Sequence, residues 1–133
     1  MSDYKKIEYW IEISDYDFST AEAMLETGRF LYVGFMCHQS VEKLLKAVFV
    51  AVKSATPPFT HSLIDLAKRA GIYDDFSRDT QDFLDYLQPL NIQARYPAHR
   101  ISINKSLNRE KCQEIISNTK LFSLWIQEKY LKK

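Results

Sequence analysis

Apolar residues recur at three- and four-residue steps along most of the chain, the period of an amphipathic helix and not the alternation of a strand. The first such stretch predicts a helix from about Tyr4 to Glu26, with Ser2 or Asp3 as N-cap and Gly28 in the left-handed position that ends it. Ile7, Trp10, Ile11, Ser14, Phe18, Ala21 and Leu25 form its inward stripe. A second helix is predicted from about Phe30 to Ser54. On a helical wheel Gly34, Cys37, Val41, Leu44, Leu45, Val48 and Val52 share one face, and Phe35, Gln39, Glu42, Lys43, Lys46 and Lys53 share the other. Ala55-Thr56-Pro57-Pro58 ends it, because proline lacks the N–H that continues the ladder.

A short helix is predicted from His61, capped by Thr60, with Leu63, Leu66, Ala67 and Ala70 inward and Gly71 as its stop. The fourth begins near Ser77 or Asp79, buries Phe83, Tyr86, Leu87 and Leu90, and carries Pro89 as a kink. Tyr96-Pro97 ends it, since a residue before proline is pushed out of the α region. Pro97 to Leu107 reads as an irregular basic loop. The last helix runs from about Asn108 to Leu131 on Cys112, Ile115, Thr119, Phe122 and Ile126. The prediction is all-α: one domain over residues 1–133, an antiparallel up-and-down helical bundle of four main helices plus one short helix.

Composition narrows the function classes. Three glycines and four prolines in 133 residues are too few turn formers for an all-β sandwich. Gly28, Gly34 and Gly71 are not spaced to cradle a phosphate in a glycine-rich loop, although Gly34 suits close packing of a core face. Eighteen basic and 17 acidic side chains leave a net charge of +1, so no global field draws the chain to nucleic acid or membrane. Locally the charge is uneven. Residues 1–29 carry three basic against seven acidic groups, a net −4, while residues 94–111 carry Arg95, Arg100, Lys105, Arg109 and Lys111 against Glu110, a net +4. Cys37 and Cys112 sit in apolar periodic segments and resemble small core residues, which fits a reducing cytoplasm. No apolar stretch approaches the ~20 residues of a membrane span, so a cytoplasmic, unprocessed protein is expected.

Candidate chemistry lies in two places. His38, His61 and His99 lack metal-ligand spacing and Asp74-Asp75 falls in a turn, so neither a metal nor a cofactor is expected. On the second helix Gln39, Glu42 and Lys46 line one side with His38 at its edge. This stripe either meets another subunit or lines a cleft, or else it is a solvated face with a Glu42–Lys46 pair one helical turn apart. The second place is Arg95, His99 and Arg100. Arg95 can clamp a phosphate and His99 can exchange a proton with a ribose hydroxyl; alternatively Arg95 caps a helix end and His99 is solvated. His61 is expected to hydrogen-bond backbone through its ring, and Trp10 and Trp125 to anchor the core.

The run His38-Gln39-Ser40-Val41-Glu42-Lys43-Leu44-Leu45-Lys46-Ala47 resembles HEPN domains, helical modules of nucleotide binding and RNA processing. Trp10, Ala21, Gly28 to Phe35, His61-Ser62-Leu63 and Arg95-Tyr96-Pro97 extend the resemblance over most of the chain. It implies four main helices plus a short one, a homodimer, and a minimal nucleotidyltransferase as partner. Active members are metal-independent endoribonucleases with an Arg, four to six residues, then a His; the His activates the ribose 2′-hydroxyl, the Arg stabilises the phosphoryl transition state, and a cyclic phosphate remains. Here three residues, Tyr96-Pro97-Ala98, separate Arg95 from His99, and Ile101 stands where toxin members carry a modifiable tyrosine. Three functions stay open on these grounds. One is a nucleotide- or RNA-associated module with a degenerate catalytic motif, in which Arg95, Arg100, Gln39, Glu42, Lys46 and His38 bind the ligand. Another is a toxin-like endoribonuclease using Arg95 and His99, and the last is a purely structural dimerisation bundle.

Overall fold

The computed structural model describes residues 2–93 and 107–132, and every described element is helical. Helix α1 spans Asp3–Glu26, with the Ser2 hydroxyl accepting from the Lys5 amide as N-cap. After Gly28, at φ 75°, the chain reverses into α2, Phe30–Lys53. Each has 24 residues, about 36 Å of helix, and the short turn between them lays one antiparallel along the other. Two serines close their contact. Ser14 Oγ donates to the Ser40 carbonyl at 2.7 Å and Ser40 Oγ donates to the Ser14 carbonyl at 2.8 Å, so two buried hydroxyls are satisfied where larger side chains would hold the backbones apart.

Helix α2 is the axis of the bundle. Fourteen of its residues are buried, and α1, α3 (Leu63–Arg69), α4 (Arg78–Gln93) and α5 (Arg109–Ile126) all pack on it. Gly34 permits the approach of α4: a Cβ there would sit 2.7 Å from Leu90 Cδ1. Tyr73–Asp75 forms a single 3₁₀ turn between α3 and α4, and α5 runs on into a π turn, Gln127–Leu131. All five predicted inward residues of α5, Cys112, Ile115, Thr119, Phe122 and Ile126, are buried.

Several predictions need correction. The short helix starts at Leu63, not His61, because Ser62 is the cap that accepts from the Asp65 amide; the Thr60 hydroxyl instead accepts from Ser62 N. On α4 the buried stripe runs through Leu84, Leu87 and Leu90, which leaves Tyr86 40% exposed beneath the Lys111 ammonium. Val52 is exposed, as are Lys53 and Ser54 at the end of α2. Neither tryptophan anchors the core. Trp125 is 37% exposed, edge-on against Phe76, and Trp10 lies half-buried at the side of α2. Pro89 falls inside α4 as predicted. The predicted helix end at Tyr96-Pro97 and the basic loop from Pro97 up to Ser106 lie outside the described residues; Leu107 is buried.

Candidate functional site

The middle of α2 carries three ionisable side chains where a central helix ordinarily carries aliphatic ones. His38 and Glu42 are all but inaccessible, and Lys46 is 7% exposed. Successive turns of one helix stack them on the same side. Glu42 is the hub. Its Oε2 accepts from Lys46 Nζ at 3.1 Å and its Oε1 lies 2.9 Å from His61 Nδ1, with His38 Nδ1 at 4.0 Å.

Other elements complete the network. His61 comes from the segment after the Pro57-Pro58 turn, held in place by Gln88 of α4, whose Nε2 donates to the His61 carbonyl at 3.1 Å and whose Oε1 accepts from Leu63 N at 2.6 Å. The same Nε2 is 3.4 Å from His38 Nε2. Gln39 Nε2 donates to Asn91 Oδ1 at 2.9 Å, and Lys43 Nζ bridges Gln39 Oε1 at 3.0 Å and Asp17 Oδ2 at 3.3 Å. Trp10 presents its ring to Lys46 Nζ, 5.4 Å from the centroid. Among the described residues every buried side-chain nitrogen and oxygen has a partner.

The electrostatics follow from this geometry. Burial alone would push the Glu42 carboxyl up, but the His61 hydrogen bond and the Lys46 ammonium outweigh it and hold its pKa below the usual value. His38 goes the other way for its type: burial pulls it down to about 4 against the opposing pull of Glu42, so its ring is neutral at pH 7. An ionised carboxylate therefore sits beside a neutral imidazole in the interior. The chain's own α1, α4 and His61 segment cover the polar stripe, where the sequence left open another subunit, a cleft or solvent. His61 also departs from expectation, since its ring faces a carboxylate and its own backbone carbonyl is the acceptor.

A family model described as the HEPN domain matches residues 7–130. The chain belongs to the HEPN family. The crystal structure of TT1696 from Thermus thermophilus superposes with a TM-score of 0.76 over 92% of this chain and 97% of that one, at 20% identity, which is a likeness of fold. No curated protein matches. HEPN domains as a class are associated with nucleotides or RNA, and they often form dimers.

Of the residues singled out in the sequence, His38, Gln39, Glu42 and Lys46 of this HEPN domain are brought together. Arg95, His99 and Arg100 lie outside the described residues, and so does Ile101. His61, Gln88, Asn91 and Trp10 were not expected at the site. The family resemblance marked Trp10 and His61, and His61 also follows a Pro-Pro turn, but neither signal says what these side chains face. Among the described residues no His, Cys, Asp and Glu side chains form a group of three able to hold a metal, and no helix is long and apolar enough to cross a membrane.

Proposed function

We propose that this chain is a nucleotide- or RNA-associated HEPN module that acts as a homodimer beside a minimal nucleotidyltransferase, with Arg95 and Arg100 as its phosphate contacts and a degenerate Arg95/His99 catalytic motif. The observation that carries this reading is the closed network on α2. Lys46 is neutralised by Glu42 and Lys43 by Asp17, so neither ammonium is spare for a phosphate. Outside that network the densest basic run is 94 to 111, five cations against Glu110, and its Arg95 follows Asn91 by four positions. Asn91 is itself fixed by Gln39. The roles divide accordingly. His38, Gln39, Glu42 and Lys46 position the end of α4 and the His61 segment, and the arginines supply the bidentate contact that suits a phosphate.

Titration with single-stranded RNA and with nucleotides tests this. Saturable binding at low salt, weakened by added salt and by Arg95→Ala, is the expected result; an absence of binding at low salt leaves only a structural bundle. Incubation with a mixed RNA pool separates the catalytic alternative. Cleavage that survives a chelator and disappears in His99→Ala assigns Arg95 and His99 to a metal-independent endoribonuclease. A monomer in sedimentation at high concentration counts against the dimer.

A further inference from the structure

The segment from Ser54 to Ser62 crosses from α2 to α3 and carries no Asp, Glu, Lys or Arg. Phe59 within it is 100% exposed, so both faces of its ring are open to solvent, and it is the only large hydrophobic side chain left in solvent between Lys53 and Ser62. The backbone beneath it is held. Pro57 and Pro58 fix two φ angles, Thr60 N donates to the Pro58 carbonyl at 3.0 Å to close a three-residue turn centred on Phe59, and Gln88 of α4 bonds the His61 carbonyl and the Leu63 amide. His61 stands beside the phenyl ring, with 6.4 Å between centroids and the planes 55° apart. Its orientation is set from the interior. Ionised Glu42 can only accept, so His61 Nδ1 carries the proton of their 2.9 Å contact, and Nε2 points away from that contact in a half-exposed side chain. No described residue hydrogen-bonds Nε2.

We infer that Phe59 and His61 form a base-binding platform, on which a nucleobase stacks against the phenyl ring and sets its polar edge against His61 Nε2. This rests on the nucleotide or RNA reading above and adds the base contact that arginines on phosphates do not supply. The two rings select the occupant. A base is flat, apolar on its faces and hydrogen-bonding at its edge, and an open phenyl ring beside a fixed imidazole matches both features. A protein partner covers a contiguous apolar patch, whereas here one phenyl ring stands among Thr56, Thr60 and His61. The held turn lowers the ordering cost of binding. Gln88 ties the platform to α4 six positions before the basic run begins, so base and phosphate contacts follow each other closely along the chain.

The full chain is titrated with adenosine monophosphate and with an adenine-rich single-stranded RNA carrying one 2-aminopurine, whose fluorescence falls when it stacks. An abasic strand of the same length is the control. Wild type is expected to quench the probe and to bind the abasic strand more weakly. Phe59→Ala alters a fully exposed side chain and keeps the melting temperature. It weakens RNA binding about tenfold and leaves the salt slope unchanged, because no phosphate contact is lost, in contrast to Arg95→Ala. Phe59→Leu, apolar but not flat, loses as much as alanine, and Phe59→Trp binds at least as tightly as wild type. The same loss with the mononucleotide assigns the platform to free nucleotides as well, and a loss with RNA alone assigns it to a strand. If RNA binds and the Phe59 variants bind like wild type, the platform is overturned and the phosphate contacts stand; if neither ligand binds at low salt, both fall. The platform is also overturned if Phe59→Leu binds like wild type, or if Phe59→Ala converts a dimer to a monomer in sedimentation, which would make a second copy the cover of the ring.

Discussion

Acidification provides the sharpest test of the buried network. His38 has no solvent access, and its pKa falls from an ordinary 6.5 to about 4. In the unfolded chain the imidazole takes up a proton near pH 6.5, while in the fold it stays neutral until about pH 4. Between those values the unfolded state binds more protons, so stability is complete above about pH 6.5 and drains away as pH falls toward 4. The shift corresponds to about 3 kcal/mol, a large share of the 5–15 kcal/mol typical of a domain. His38→Gln keeps a polar side chain for Gln88 and removes the titration. Urea unfolding of both proteins across pH 7.5 to 4 should show wild type losing about 3 kcal/mol more than the variant over that window. The lowered pKa of Glu42 adds a separate loss, present in both proteins, as pH falls through its folded value. Parallel decline of the two proteins, or an NMR titration placing His38 near 6.5, would refute the reasoning.

Other perturbations read the same structure. Glu42→Ala strands the buried Lys46 ammonium and should cost about 3 to 5 kcal/mol in urea unfolding, whereas Lys46→Met should cost less than half of that, because Glu42 keeps His61. Equal losses would mean that His61 does not support the carboxylate. Ser14→Ala removes one hydroxyl of the serine pair and should cost about 1 kcal/mol, with Ser14→Val costing more through overpacking against α2. Gly34→Val should lose about 2 kcal/mol or more by pressing on Leu90, while Gly34→Ala stays within about 1 kcal/mol, since the Leu90 methyl can rotate and alanine favours the helix. Thermal melts that rank Ala and Val alike would contradict the close approach of α2 and α4.

The helices were legible in the sequence wherever the apolar period and a terminator agreed. Ser2 and Gly28 bracket α1, and the five inward positions of α5 were all placed correctly. Periodicity is less decisive on a helix with two adjacent apolar stripes, and so Tyr86 was expected inside where Leu84 lies. The members of the α2 stripe were visible, but their burial was not. Glu42 and Lys46 at a spacing of four look the same on a solvated face as in an interior. What separates the two cases is the approach of His61, 19 residues further on, and of Gln88 and Asn91 from α4, and such contacts between distant segments leave no periodic trace. Trp125 misleads for a related reason: its spacing reads as that of a core residue, yet its ring stands 37% exposed, edge-on to Phe76.

Phosphate recognition through the basic run, by a HEPN scaffold whose Lys43 and Lys46 are neutralised internally, is the central claim. Fluorescence anisotropy of a labelled single-stranded RNA, followed from low to moderate salt for wild type and Arg95→Ala, tests it most directly. A lower affinity in the variant, with a salt slope shallower by about 0.7 for the one lost phosphate contact, is the predicted result. Binding whose strength and salt dependence are the same in both proteins would contradict it.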